Sequence, residues 1–126
     1  MSRDILLDTH TLIWVLQGSD QLQHAKLHIA KARTVYASMV SWWEISIKAT
    51  LGKLDVDPEQ SWREAKLAGI HILPIEIAHC QMLLTLPMIH RDPFDRMLVA
   101  QSLSEDLPLL THDITVAQYS DKIILF

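Results

Sequence analysis

The sequence predicts an α/β fold, a central, mainly parallel β-sheet flanked by helices on both faces. Short runs dense in Leu, Ile and Val alternate with longer segments of helical periodicity, the order expected of parallel strands joined by crossover helices. Only 3 Gly and 5 Pro occur, and they stand at segment ends, where punctuation belongs. No linker, low-complexity tract or repeat interrupts the 126 residues, so one domain, 1–126, is expected.

Each element has its own signal. "DILLD" (4–8) is a short buried strand, and "THTLIWVLQG" a helix stopped by Gly18. "QLQHAKLHIAKAR" (21–33) places Leu22, Ala25, Leu27, Ile29 and Ala32 on a helical pattern. "TVYASM" (34–39) is the second strand. "SWWEISIKATLGKL" is a helix ending near Gly52, and "PEQSWREAKLAG" another, opened by Pro58 and closed by Gly69. "IHILPI" is the third strand, and "AHCQMLLTL" a helix stopped before Pro87. "HRDPFDRMLVAQS" opens a long helix reaching about Leu107. "PLLTHD" and "KIILF" are the fourth and fifth strands.

Composition narrows the class. Hydrophobic residues are 49% and charged residues 21%, a globular and rather oily chain. That apolar surplus, with 4 Trp, points to surface that awaits a partner or a second copy. No apolar run approaches a membrane span, and Asp4 interrupts any signal-peptide core. The single cysteine, Cys80, excludes an internal disulfide or a multi-cysteine zinc site, so a reducing cytoplasm is expected. Net charge of −4 disfavours nucleic acid at first sight. If four carboxylates hold a metal, however, the remaining acids match the 11 Lys plus Arg, and the ion itself attracts phosphate.

Ligands of parallel sheets bind outside the carboxyl ends of the strands. Asp8 ends the first strand, Glu44 lies in the first turn of the helix after the second, and Asp113 follows the fourth. Asp95 lies in the first turn of the long helix, and reaches that edge only if the chain first returns across it. Each has a structural reading. Asp8 and Asp113 cap the following segments, Ser41 and Glu44 fit a capping box, and Asp92 caps a helix with Pro93 at its first position and Asp95 at its third. Caps, however, need not gather at one edge. Close carboxylates repel by about 4 kcal/mol per pair at an effective dielectric of 20, so a gathered set requires a hard cation, Mg2+ or Mn2+.

"LLDTHTLIW", "SWWEISIK", "LGKL", "LPI", "HRDPFDRMLVAQ" and "LLTHD", in this order from about residue 4 to the C-terminus, resemble the PIN-domain ribonucleases, specifically the VapC-type toxins of toxin–antitoxin pairs. The resemblance implies a sandwich of helices about a parallel sheet and a metal-dependent endoribonuclease inhibited by a cognate antitoxin. It places the acidic set on Asp8, Glu44, Asp95 and Asp113, and supplies the position of Asp95 that periodicity leaves open. Those four are the expected catalytic and metal-binding residues, on one or two Mg2+ or Mn2+ ions that activate water for attack on an RNA phosphodiester.

Further candidates surround them. Asp92 is read as the helix cap, with an outer-sphere metal role as the alternative. Arg91 and Arg96 either touch RNA phosphate or pair with Asp92 or solvent. Thr9 and Thr111 stand ready to orient a carboxylate or a water, and His10 and His112 form a polar rim. Lys26, Lys31 and Arg33 make a basic face, with Lys48, Lys53, Arg63 and Lys66 as further phosphate contacts or plain surface charge. His24 and His28 lack an accompanying carboxylate motif and are read as surface. Trp14, Trp42, Trp43 and Trp62 are mainly core, with one or two left for a homodimer contact or the antitoxin groove. No phosphate-cradling glycine loop or nucleophile elbow is present, and a phosphoacceptor domain would need an early acidic pair. A catalytically inactive domain that only binds a partner stays open.

Overall fold

The computed structural model describes residues 3–126. Its five strands are β1 (Ile5–Leu7), β2 (Val35–Ser38), β3 (His71–Leu73), β4 (Leu109–Thr111) and β5 (Ile124–Leu125). They form one sheet in the order β3-β2-β1-β4-β5, and every pairing is parallel. β1 is central: Leu7 lies opposite Ala37 on one side and Leu110 on the other. The helices are α1 (Thr9–Gln17), α2 (Lys26–Lys31), α3 (Met39–Thr50), α4 (Pro58–Leu67), α5 (Ile77–Leu83), α6 (Pro93–Glu105) and α7 (Ile114–Ala117).

Alternation along the strands divides the core in two. Ile5, Leu7, Ala37 and Leu110 face Leu12 and Ile13 of α1, Trp42 and Ile45 of α3, and Ala65 of α4. Leu6, Leu73 and Leu109 face the other layer, with Val40 of α3, Leu98 and Val99 of α6 and Val116 of α7. β1 and β4 are buried on both faces, which is why "ILL" and "LLT" read as continuous apolar runs.

The chain builds outward from β1 through β2 to β3, then crosses to β4 and β5. The switch point therefore lies between β1 and β4, where open α/β sheets place ligands. Three departures from the sequence reading bear on it. First, 21–33 is not one helix. Asp20–Leu22 forms a 3-10 turn capped by Ser19, and α2 begins only at Lys26. The break buries Leu22 and Ala25 against the sheet and leaves Leu27 exposed, because these apolar positions do not share one stripe. Second, α3 starts at Met39, capped by Ser38, whose Oγ accepts from the Val40 N–H at 3.0 Å. Ser41 is thus inside the helix, no Ser41–Glu44 capping box forms, and Glu44 sits in the second turn. Third, α6 ends at Glu105, with Asp106 in the left-handed region at φ 51°. After β3 the chain passes through α5 and the 84–92 loop before α6 begins, and Asp95 in its first turn lies near Asp8 and Glu44.

Candidate functional site

The site grows from the ends of β1 and β4. Asp8, immediately after β1, caps α1: its Oδ1 accepts from the Thr11 N–H at 2.9 Å. Its Oδ2 accepts from the Thr111 hydroxyl at 2.5 Å, across the β1–β4 pair. The Thr111 oxygen in turn accepts from the Asp113 N–H at 3.0 Å. One β4 residue thereby sets both carboxylates at the switch point. Asp8 is 4% exposed, and burial raises its carboxyl above the usual range, against the opposing bonds from Thr11 and Thr111.

Asp113 caps α7, accepting from the N–H groups of Thr115 at 2.8 Å and Val116 at 3.4 Å. Burial pushes its carboxyl up, but those bonds and His90 outweigh it and hold the group low. Glu44 reaches in from α3 and is 4% exposed. Its Oε2 accepts from Lys48 Nζ at 2.6 Å, while Oε1 is buried with no hydrogen-bond partner among the described residues.

Asp92 and Asp95 divide their work at the start of α6. Asp92 Oδ1 accepts from the N–H groups of Phe94 at 2.8 Å and Asp95 at 3.1 Å, with Pro93 at the first helical position. Asp95 points among the other acids. Burial, then the negative charges of Asp92, Asp8 and Glu44, push its carboxyl up to about 7. The carboxylates at β1, α3 and α6 therefore feel one another as a cluster.

His90, unassigned in the sequence reading, joins the two sides of the site. Its Nε2 lies 3.3 Å from Asp95 Oδ2 and 3.3 Å from Asp113 Oδ2, and the three groups present ligand atoms within 4.8 Å of one another. The ring's other nitrogen decides its role. Nδ1 is 3.1 Å from the backbone N–H of Asp92 and accepts from it, so Nε2 carries the hydrogen and donates to Asp113 Oδ2, with Asp95 Oδ2 also 3.3 Å away. His90 is a brace between Asp95 and Asp113 rather than a lone-pair donor to a cation. Tyr119 anchors the loop beneath it, its hydroxyl accepting from the His90 N–H at 2.8 Å. A histidine before an Asp-Pro cap has no spacing rule, which is why sequence reasoning passed over it.

The remaining candidates fall elsewhere. Thr9 donates to Ser41 Oγ at 2.9 Å, tying α1 to α3 instead of orienting a carboxylate. Arg96 donates to the Pro87 carbonyl at 3.0 Å and to the Tyr119 hydroxyl at 3.2 Å, so it holds the His90 loop. Arg91 is exposed. Arg33 pairs with Asp4 through two contacts of 3.2 Å at the amino end of β1, the opposite edge of the sheet. Lys48 serves Glu44. Trp42 is core and stacks on the half-exposed Trp62, while exposed Trp43 meets Phe94 edge-on at 5.1 Å.

The fold and site together define a doubly wound α/β domain with a carboxylate cluster at its switch point. The sequence matches the PIN domain family over residues 5–122, and the protein belongs to that family. No curated protein matches the chain. Among solved structures, VapBC2 from Rickettsia felis, bound to a DNA fragment from its promoter, is similar with TM-score 0.70, at 16% identity over 98% of this chain and 97% of that one. A toxin–antitoxin complex from Klebsiella pneumoniae gives TM-score 0.69, at 20% identity over 95% of each chain. VapBC-1 from nontypeable Haemophilus influenzae gives 0.68, at 18% identity over 98% and 96%. At these identities the likeness is one of fold.

Proposed function

We propose that the protein is a divalent-metal-dependent endoribonuclease, the VapC-type toxin of a toxin–antitoxin pair. The observation that carries this reading is the setting of Asp95, buried beside Asp92, Asp8 and Glu44 with its carboxyl raised to about 7. Such crowding is costly without a cation. The donor set fits a hard ion: the buried Glu44 Oε1 has no hydrogen-bond partner among the described residues, and the gathered side chains offer carboxylate oxygens, suited to Mg2+ or Mn2+.

Asp8, Glu44, Asp95 and Asp113 would hold the ion or ions, and a bound ion would acidify a water and neutralise charge on the phosphodiester. The chain's own residues do the positioning. Thr111 aims Asp8 and fixes the Asp113 backbone; His90 spans Asp95 and Asp113; the Asp92 cap sets the direction of α6. Lys48 neutralises one oxygen of Glu44 and leaves the other toward the cluster. An RNA phosphodiester would approach the carboxyl edge, where α1 and α6 start.

For the partner, the fold is shared with VapBC and toxin–antitoxin complexes. Exposed Trp43, Leu67, Ile77 and Leu84 provide apolar surface for an antitoxin segment or a homodimer. Among the described residues no helix is long and apolar enough to cross a membrane. A toxin of this kind would act in the cytoplasm. Expression should arrest growth, and co-expression of the small protein encoded beside it should relieve the arrest. Arrest that survives Asp95→Asn, or none at all, would favour an inactive partner-binding domain.

A further inference from the structure

We infer that the pocket between His10, Trp14 and His112 is a nucleobase subsite, which seats the base of a nucleotide next to the scissile phosphate by stacking. This rests on the nuclease reading and goes beyond it, since the carboxylates say nothing about how a base is held. The open pocket measures about 330 Å3 and is lined by Asp8, His10, Trp14, His112 and Asp113. Two of the carboxylates assigned to phosphate chemistry therefore form one side of it, and rings form the other.

The rings are presented by the same turns that present the acids. His10 and Trp14 lie four apart on α1, on one helix face, with their centroids 6.1 Å apart; Asp8 caps that helix. His112 stands between Thr111 and Asp113, and its ring meets Trp14 edge-on at 5.6 Å. The wall is anchored from behind. The Phe126 N–H donates to the Thr111 carbonyl at 3.0 Å, its carbonyl takes a hydrogen bond from His112 Nδ1, and its ring lies 4.9 Å from His112 and 6.2 Å from Trp14. Trp14 is half-buried against the core, while His10 and His112 are exposed. Planar rings that stay solvent-accessible on a braced wall suit a planar, uncharged group, and stacking on such rings accepts any base. A base one ribose from the reacting phosphate would lie against these rings, with Asp8 and Asp113 at the edge of the pocket.

The test uses the full chain in an Asp95→Asn background, expected to leave the RNA uncleaved, and a short labelled single-stranded RNA of mixed sequence. A strand of equal length made of abasic ribose phosphates separates base from backbone. The combined His10→Ala and His112→Ala variant should bind the base-bearing RNA ~10-fold or more weakly by fluorescence anisotropy, but the abasic strand within ~2-fold of the parent. His112→Phe, which keeps a ring, should recover most of the loss when it replaces His112→Ala. An unchanged thermal melt confirms that the variants are folded. Equal losses on both strands, or none, overturn the subsite. So does unchanged RNA affinity with weakened binding of the antitoxin, which would give the pocket to the protein partner. Wild-type protein that cleaves no RNA in Mn2+ would remove the nuclease reading and this inference with it; normal cleavage with unmoved affinities removes this inference alone.

Discussion

Asp95 is held against its charge by the site around it. Its carboxyl rises from 3.8 to about 7 because burial and three neighbouring acids oppose its charge. The folded state thus holds a proton that the unfolded chain has released, and between those two pH values stability falls as pH rises. For the metal-free protein this group removes on the order of 3 kcal/mol between pH 4 and pH 8. Asp95→Asn should flatten that slope and melt several degrees above wild type at pH 8, as calorimetry will read; Mn2+ should raise the wild-type melting temperature and leave the variant nearly unmoved. Thr111 offers a second test. Its hydroxyl serves both Asp8 and the Asp113 N–H, so Thr111→Val should cost about 1–3 kcal/mol. It should also lower metal affinity and cleavage by roughly 10- to 100-fold, measured by titration calorimetry and initial rates.

At the scale of elements, α6 is aimed by the residue that caps it. Asp92 accepts two backbone N–H groups, and Asp92→Ala should destabilise the protein by about 1 kcal/mol. Asp92→Asn keeps the acceptor oxygen and should retain cleavage within a few-fold, whereas a loss matching that of Asp95→Asn would make Asp92 a ligand in its own right. The cap at Asp92 was legible because Asp-Pro before an apolar periodic run has one common meaning. The start of α3 was not: Ser38 and Ser41 are both competent caps, and only the length of β2, set by its pairing with β1 and β3, selects Ser38. The segment 21–33 departs from a single helix for a related reason. Burial of Leu22 and Ala25 against the sheet overrode a weak helical pattern. The strand ends at Asp8 and Asp113 could be read directly, since apolar runs stop there. The grouping of Asp95 with them came from the resemblance, and His90 belongs to no local rule at all.

Over the whole molecule, chain order fixes where chemistry can occur. β1 is central, the chain reverses direction across the sheet between β3 and β4, and the resulting crevice receives α1, α3, α6 and α7 with one acid from each start or early turn. Net charge of −4 is then no obstacle to RNA, because the acids are concentrated where a cation would reverse the local sign. The claim on which everything else rests is that these carboxylates bind a divalent ion that cleaves RNA, with Asp95 indispensable. The direct measurement is RNA cleavage by purified wild type and Asp95→Asn in Mg2+ or Mn2+, with and without excess chelator. Wild type should cleave only with the ion, recover when it is restored, and exceed the variant by roughly 100-fold or more, ~2.7 kcal/mol of barrier. Equal cleavage by the two proteins, or cleavage that persists in chelator, would contradict it.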